Sequence, residues 1–306
     1  MYDLIIIGGG PAGISAGIYA SRKKLNTLII AKNFISQAGW ATSIENYPGF
    51  MEISGMDLMA RFREHLGKFA IDINEGEEVK QIEKEGDIFR VHTSEKDSYL
   101  TKAVIIASGR DPRPLEVPGE KEYIGKGVSY CVTCDGPIFS GKTVAVIGGG
   151  NSGFYAAREL SKYCAKIYIL ENTDKAKADE MIQEQIKQTN NVELIINAKA
   201  VEIKGSNFVS ELIYKDQLSN ENKALIVSGV FIEIGSIPAT GFLKGLVEFN
   251  NRDEIIVDLE TGQTKTAGLF AAGDVTDIKY KQIVIACGEG AKTALSAYEY
   301  LAGLKS

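Results

Sequence analysis

The sequence predicts an α/β fold in which one three-layer domain is inserted into another of the same kind. Two observations predict it: an apolar segment followed at once by a glycine-rich turn occurs twice, and a Pro-containing segment lies on each side of the second copy. The length of 306 residues suits two domains, because single domains usually hold roughly 100–200 residues.

The first copy is Asp3–Gly13, in which an apolar strand leads into Gly8-Gly9-Gly10-Pro11-Ala12-Gly13 and then into a helix-like stretch. A strand that ends in this G-x-G-x-x-G pattern turns tightly and points the N-terminus of a helix at a pyrophosphate. We therefore expect a Rossmann-like dinucleotide site here. The next strand, Leu28–Ala31, ends without the acid that usually binds a ribose, which argues against a generic NAD site.

The second copy, Thr143–Gly153, repeats the strand and the glycine pattern, and its second strand is Ile167–Leu170. That strand is followed by Glu171, near the spacing of about 20 residues at which an acid binds a ribose 2′-hydroxyl. A carboxylate at this place repels a 2′-phosphate, so NADPH is disfavoured as a ligand.

The segments at residues 111–119 and 234–241 contain prolines and glycines, which are typical of joints between domains. We predict an outer domain built from residues 1–112 and 243–306, and a central domain built from residues 113–242. The fold is thus expected to be two Rossmann-like three-layer nucleotide-binding domains, the second inserted into the first.

The composition excludes several classes of function. A net charge of −6 and a pI near 5.3 argue against a nucleic-acid surface, which needs clustered Lys and Arg. No apolar run approaches the roughly 18 residues of a membrane span, and Met1–Ile7 has the pattern of a first strand, not of a signal peptide. We expect a cytoplasmic protein that does not bind membranes.

The motif Cys131-Val132-Thr133-Cys134 is the main candidate for chemistry, since a close cysteine pair in a cytosolic protein indicates a redox or a metal site. A zinc site needs two further ligands, whereas the remaining cysteines and the two histidines are isolated in the sequence. The redox interpretation is therefore favoured, with no metal. Asp135 follows the pair, either as an acid beside the thiols or as a turn residue before Gly136.

Several motifs together resemble the low-molecular-weight thioredoxin reductase family, which includes the reductase component of alkyl hydroperoxide reductase. They are Ile6–Gly13, Ile44–Phe50, Ile106–Gly109, Cys131–Gly136 and Gly268–Val275. The resemblance implies a flavin disulphide oxidoreductase that works as a homodimer and binds FAD in the outer domain. It implies FAD contacts from Gly8, Gly10, Pro11, Ala12, Gly13, Gln37, Asn46, Val79, Ala107, Gly109, Gly273, Asp274, Lys281, Gln282 and Ile283.

The same resemblance implies roles for the cysteine motif. Cys134 would be the thiol next to the flavin, Cys131 the thiol that attacks a substrate disulphide, and Asp135 the proton donor and acceptor. The central domain, which is similar to a pyridine-nucleotide domain, would rotate on its two joints, as it does in the family. The sequence departs from the family pattern at Ile35-Ser36, where glycines are usual, and at Lys281, where arginine is usual.

The electron donor is less well defined. The family's arginine-rich 2′-phosphate segment is replaced by Glu171–Lys177, which resembles the NADH-dependent peroxide-reductase branch. Against NADH, Phe154 and Tyr155 replace small or acidic residues next to the nicotinamide site and could fill it, or could simply pack the helix. Because these segments for recognising a pyridine nucleotide are changed, the chain also resembles the ferredoxin-dependent flavin thioredoxin reductases, which have lost that recognition. The sequence favours reduced ferredoxin, with NADH as the alternative.

The expected acceptor is a thioredoxin-like protein. A second hypothesis is a peroxide-reductase partner, but that branch carries an N-terminal thioredoxin-like module. Because the first strand begins at Asp3, we expect such a module to be a separate protein. A flavin-bearing sensor without catalysis ranks lower, since it gives no reason for the Cys131–Cys134 pair.

Overall fold

The computed structural model describes residues 1–41, 44–95, 98–243 and 245–304, apart from the side chains of Trp40, Thr133 and Cys134. The chain forms two compact units. The outer unit contains Met1–Asp111 and Ile237–Ser306, and the inserted unit contains Pro112–Ser236. Each of them is an α/β unit with a mainly parallel sheet, as the sequence predicts.

In chain order, the first elements are β1 (Tyr2–Ile7), α1 (Pro11–Arg22), β2 (Thr27–Ala31), a 3-10 helix (Gln37–Trp40), α2 (Gly55–Leu66), β3 (Asp72–Glu75), β4 (Val79–Glu85), β5 (Ile88–Thr93), β6 (Ser98–Ile106), β7 (Arg110–Pro112), β8 (Val128–Ser129) and α3 (Val132–Asp135). They are followed by a 3-10 helix (Gly136–Phe139), β9 (Thr143–Ile147), α4 (Asn151–Leu160), β10 (Lys166–Leu170), α5 (Glu180–Lys187), β11 (Val192–Ile195), β12 (Ala198–Gly205), β13 (Val209–Asp216), β14 (Asn222–Ile226), β15 (Gly229–Ile232), β16 (Ser236–Pro238), β17 (Leu269–Ala271) and α6 (Ile283–Gly303).

The sheet of the outer unit has the order β3-β2-β1-β6-β5-β4, and β17 pairs with β6. Strands β1, β2 and β17 are almost wholly buried and rich in Ile and Leu, as is typical of parallel strands covered on both faces. Helices α1, α2 and α6 cover one face. The chain between Leu243 and Val275 packs with β4 and β5 on the other face.

The sheet of the inserted unit has the order β11-β10-β9-β15-β8. One face packs against α3, α4 and α5, and the other packs against a smaller antiparallel sheet of β12, β13 and β14. In both units the glycine loop leaves the carboxyl end of a central strand, β1 or β9. Since ligands of open α/β sheets bind at that edge, this edge is where the candidate residues are to be sought.

The two segments that connect the units are short strands, β7 and β16, which pair with each other. The second boundary between the units lies between Ser236 and Ile237, earlier than the residue 242 that the sequence predicts. Ala239 explains the difference, because its N–H donates to the Gly109 carbonyl and its own carbonyl accepts from Ser108 Oγ at 2.8 Å. These bonds fix the chain after β16 to the outer unit. Within the described ranges, no helix has both the length and the apolar composition needed to cross a membrane.

Candidate active site

The first glycine loop lies between β1 and α1, and its glycines serve different purposes. A Cβ added at Gly13 would lie 1.9 Å from the Gly8 carbonyl oxygen, and one added at Gly8 would lie 2.1 Å from the Ala107 carbonyl oxygen. These two positions are needed for the strand, loop and helix to pack. An added Cβ at Gly10 would find its nearest atom, Ser36 Cβ, at 3.5 Å. Packing allows a side chain there, so the close approach of a ligand is the remaining reason for a glycine.

The N-terminus of α1 is suited to an anion. Gly10 is its N-cap and has no side chain to accept from the first turn, which contains no acidic residue. Pro11 occupies the first helical position, where its missing N–H costs nothing. The helix dipole and the free N–H groups of the first turn therefore face the loop, as in pyrophosphate sites.

The ends of β6 and β17 bring further predicted residues to this loop. A Cβ added at Gly273, which has a φ of +79°, would lie 3.0 Å from Ala12 Cβ. The next residue, Asp274, is partly buried, and burial raises the pKa of its carboxyl although the charges of Lys281 and Arg110 act to lower it. The structure thus brings Asp274 to the glycine loop beside α1.

The remaining predicted flavin residues lie on three segments. Asn46 Nδ2 donates to Gln282 Oε1 at 3.1 Å, and Ile283 is the first residue of α6, so these three residues lie together. Gln37 begins a 3-10 helix and Val79 begins β4; no described hydrogen bond joins either to the loop. The N-cap Ser36 has a φ of +52°, a left-handed conformation, at a position where the family usually has glycine.

A buried ion network beside Asp274 was not predicted from the sequence. Glu254 is 2% exposed, and its carboxylate lies 3.0 Å from Arg110 Nη1, 3.3 Å from Lys281 Nζ and 2.9 Å from Arg252 Nη2. Burial opposes ionisation of Glu254, but Asn250 and Lys281 outweigh it and lower the pKa. Lys281, which stands where the family usually has arginine, therefore still supplies a positive charge beside Glu254. No local motif marks Glu254, because two of its cationic partners, Arg110 and Lys281, come from distant segments.

The cysteine motif lies at the edge of the inserted sheet, directly after β8. Cys131 is disulphide-bonded, whereas Cys164 and Cys287 are free. The Cys131 N–H donates to Ser129 Oγ at 3.0 Å, and its carbonyl accepts from the Asp135 N–H at 3.1 Å. The side chain of Cys134 lies outside the described part of the chain. Among described residues, no group of His, Cys, Asp and Glu could hold a metal ion.

The second glycine loop repeats the geometry of the first. An added Cβ would lie 1.9 Å from the Gly148 carbonyl oxygen at Gly153 and 2.4 Å from the Glu233 carbonyl oxygen at Gly148. At Gly150 an added Cβ would meet no atom within 4 Å. Glycine is therefore needed for packing at Gly148 and Gly153, whereas Gly150 has space for a side chain. The first loop shows the same difference between its glycines.

Glu171 lies directly beneath this second loop. Its Oε2 accepts from the Gly149 N–H at 2.8 Å, and its Oε1 accepts from the N–H and the hydroxyl of Thr173 at 2.9 and 2.7 Å. Burial opposes ionisation, but these hydrogen bonds lower the pKa. A carboxylate accepts about four hydrogen bonds, so one lone pair of Oε2 is left for a further donor.

The two aromatic residues of α4 differ in environment. Phe154 is 2% exposed and lies in the core between α4 and the sheet. Tyr155 is 48% exposed, and Arg158 lies over its ring at 5.0 Å from the centroid. Phe154 therefore packs the helix against its sheet, whereas the ring of Tyr155 is half exposed on the surface of the helix.

Comparison with known proteins gives one family. The model of the pyridine nucleotide-disulphide oxidoreductases matches residues 2–290. Among curated proteins, the chain is 43% identical over 304 residues to the F component of the alkyl hydroperoxide reductase of Pseudomonas aeruginosa, and 42% identical over 300 residues to an NADH dehydrogenase of Bacillus subtilis. Each match covers 98% of this chain and 58% of the relative, so the chain spans little more than half the length of these relatives.

Solved structures that resemble this chain are of the same kind. The thioredoxin reductase of Lactococcus lactis has a TM-score of 0.89 at 34% identity, and the match covers 99% of this chain and 100% of that one. A ferredoxin-flavin thioredoxin reductase of Clostridium acetobutylicum has a TM-score of 0.54 at 31% identity, and the match covers 99% and 98%. The thioredoxin reductases are FAD-binding flavoproteins, and FAD is the cofactor of this chain. The chain therefore belongs to the pyridine nucleotide-disulphide oxidoreductase family, as a flavin disulphide oxidoreductase of the thioredoxin reductase type.

Proposed function

We propose that this chain reduces the disulphide of a thioredoxin-like protein, with NADH as the electron donor and the cysteines at 131 and 134 as the redox-active pair. The disulphide at Cys131 carries the proposal. It lies in a motif of two cysteines followed by an acid, and the other two cysteines are free. Asp135, the acid that follows the motif, is the proposed proton donor and acceptor of the pair.

FAD would be held by the first glycine loop and the residues around it. The N-terminus of α1 would face its pyrophosphate, Asp274 would accept from its ribityl chain, and Asn46 and Gln282 would lie by its ring. The open position at Gly10 and the contact of Gly273, the neighbour of Asp274, with Ala12 of the loop support this assignment. When bound, FAD exchanges electrons with both the donor and the cysteine pair.

NADH is preferred as the donor because of Glu171. Its Oε2 accepts one described hydrogen bond and keeps a second lone pair that a ribose hydroxyl could use, and its negative charge disfavours a 2′-phosphate. Phe154, one of the two aromatic residues that argued against a nicotinamide site, lies in the core, which supports this donor. The relative named as an NADH dehydrogenase is also in keeping with this donor.

Reduced ferredoxin remains the second candidate for the donor, although the sequence alone ranked it first. The exposed ring of Tyr155 and the similarity to a ferredoxin-flavin thioredoxin reductase favour it. The acceptor is proposed to be a thioredoxin-like protein or a peroxide-reductase partner with a thioredoxin-like module. A homodimer and a cytoplasmic location belong to the same proposal.

The donor is tested by anaerobic mixing of the oxidised holoenzyme with NADH, NADPH or reduced ferredoxin while the visible flavin absorbance is recorded. We expect fast bleaching with NADH and slow bleaching with NADPH. Glu171→Gln should slow bleaching by NADH about ten-fold or more, which is the loss of about 1.4 kcal/mol. Glu193→Gln, an exposed acid on β11, is the matched control. Fast bleaching by ferredoxin alone would reject NADH.

The redox role of the cysteines is tested with single variants. Cys131→Ser and Cys134→Ser should each abolish reduction of an oxidised thioredoxin, because thiol–disulphide exchange needs both sulphurs. Cys164→Ser is the control, since this free cysteine is buried and its Sγ lies 3.4 Å from the Phe139 carbonyl oxygen. Acceptor reduction that survives in either motif variant would contradict the assignment.

A further inference from the structure

Glu233 is a partly buried acid next to the second glycine loop, and the motifs give no role for it. It follows β15 directly, and its N–H continues the pairing with β9 by donating to the Ile147 carbonyl at 2.8 Å. Its own carbonyl lies against Gly148. The backbone of Glu233 is thus fixed at the carboxyl edge of the inserted sheet, the edge at which the cysteine motif begins.

Strand register brings Glu233 beside Cys131. Strands β15 and β8 are parallel, and Phe231 pairs with Ser129. Strand β8 ends at Ser129 and the chain bends at Tyr130, so Cys131 and Glu233 each lie two residues beyond this pair, at neighbouring strand ends. The Glu233 bond to β9 shows that its strand is still regular at this point.

The Glu233 side chain lies on the face of the sheet that the helix of the cysteine motif covers. Phe231 packs on the face covered by α3 and α4, whereas Ile232 packs on the opposite face. Because side chains alternate along a strand, Glu233 belongs to the face of Phe231. The acid therefore lies under the helices that carry and support the cysteine motif.

The surroundings raise the pKa of the Glu233 carboxyl toward that of a thiol. Burial raises its pKa to about 8, and the negative charge of Glu159 on α4 contributes to the rise. The other ionisable groups of this face are Asp135 on α3, Tyr163 after α4, whose hydroxyl lies next to Gly136, and the buried thiol of Cys164. No described residue donates a hydrogen bond to the Glu233 carboxyl. An ordinary thiol has a pKa near 8.5, so a proton can pass between such groups at little cost.

We propose that Glu233 is a second proton-exchanging group for the redox pair, acting on the sulphur of Cys131 in addition to Asp135. Glu233 would accept the thiol proton of Cys131, and the resulting thiolate attacks one sulphur of the acceptor disulphide. That bond breaks as a mixed disulphide forms, and the leaving sulphur takes up a proton. The Cys134 sulphur then closes the internal disulphide and releases the second acceptor sulphur. The dithiol is oxidised, and the acceptor is reduced.

The inference rests on the proposed redox role of Cys131, and its test does not depend on the donor. The holoenzyme is reduced with dithiothreitol, the reductant is removed, and the rate of alkylation of Cys131 by iodoacetamide is followed by peptide mass spectrometry against pH. In the native protein we expect two inflections in the profile, because the thiol and a neighbouring carboxyl titrate as a coupled pair. Glu233→Gln should lose one of them, whereas Glu193→Gln should leave both.

Glu159→Gln is a second test that keeps Glu233 in place. It should retain both inflections and shift one of them to lower pH, because a negative charge beside Glu233 has been removed. A profile of Glu233→Gln or of Glu159→Gln that superimposes on the native one would overturn the role of Glu233 alone. Absence of any labelling of Cys131 after reduction would overturn the role of Cys131 as well.

Discussion

Some glycines of the two loops are required by packing, and others are explained only by a bound ligand. In each G-x-G-x-x-G loop the first and last glycines have no room for a Cβ, whereas Gly10 and Gly150 do. The sequence motif treats these positions alike. Only the structure distinguishes a residue that packing requires from one that a bound dinucleotide would require.

We predict that Gly150→Ala folds normally and binds FAD normally but uses NADH poorly. Nothing lies within 4 Å of the added Cβ, so a loss would come from contact with the nucleotide. The expected fall in the rate of flavin reduction by NADH is about ten-fold, or about 1.4 kcal/mol, with reduction by dithionite unchanged. Gly10→Ala is the counterpart, and it should lose FAD content instead. Equal NADH rates in native enzyme and Gly150→Ala would argue against the second site.

Glu233 should also affect stability in a pH-dependent way. Its pKa is about 8 in the folded protein against an ordinary value of 4.5, so the folded state holds a proton that the unfolded state releases. The acid therefore destabilises the fold increasingly as the pH rises from about 4.5 to 8. Glu233→Gln should raise the free energy of unfolding at pH 8 relative to pH 5 by up to about 4 kcal/mol. Denaturant titrations at the two pH values measure this difference, and an equal effect at both would contradict it.

At the scale of elements, the contact between α1 and α6 supports the flavin loop. Gly290 of α6 is buried, and a Cβ added there would lie 2.1 Å from the Ala12 carbonyl oxygen. Because Ala12 is part of the first glycine loop, the crossing of these helices and the position of the loop are linked.

Gly290→Ala should therefore weaken both the fold and FAD binding. Forcing the helices apart is expected to cost about 1–3 kcal/mol of unfolding free energy. Gly288→Ala on the same helix is the control, since no atom lies within 4 Å of its added Cβ. That change should be neutral or stabilising by up to about 1 kcal/mol, because Ala favours a helix. Thermal unfolding and FAD content are the measurements, and similar losses in both variants would refute the link.

Helix α4 shows where prediction from sequence fails. The sequence placed its start correctly at the glycine loop, but it did not fix the direction of Phe154. The buried positions Gly153, Ala157 and Leu160 define the inward face, and Phe154 lies at its margin, three residues before Ala157. The orientation of such a marginal side chain depends on the space beneath the helix, which comes from other strands.

For the whole molecule, the sequence predicted two α/β units and the insertion of one into the other, since both follow from local glycine and proline signals. It missed Glu254 and Glu233. Both are surrounded by residues from distant segments: Arg110 and Lys281 in one case, and the register of β15 with β8 in the other. Contacts of this kind arise from the tertiary fold, so no local sequence pattern predicts them.

Electrons from NADH are proposed to reach the cysteine pair that contains Cys131. Anaerobic treatment of the oxidised holoenzyme with NADH, followed by iodoacetamide and peptide mass spectrometry, measures this transfer directly. We expect Cys131 and Cys134 both to be alkylated after NADH and neither to be alkylated without it. Equal labelling of this peptide with and without NADH, while the flavin is bleached, would show that the electrons do not reach the pair.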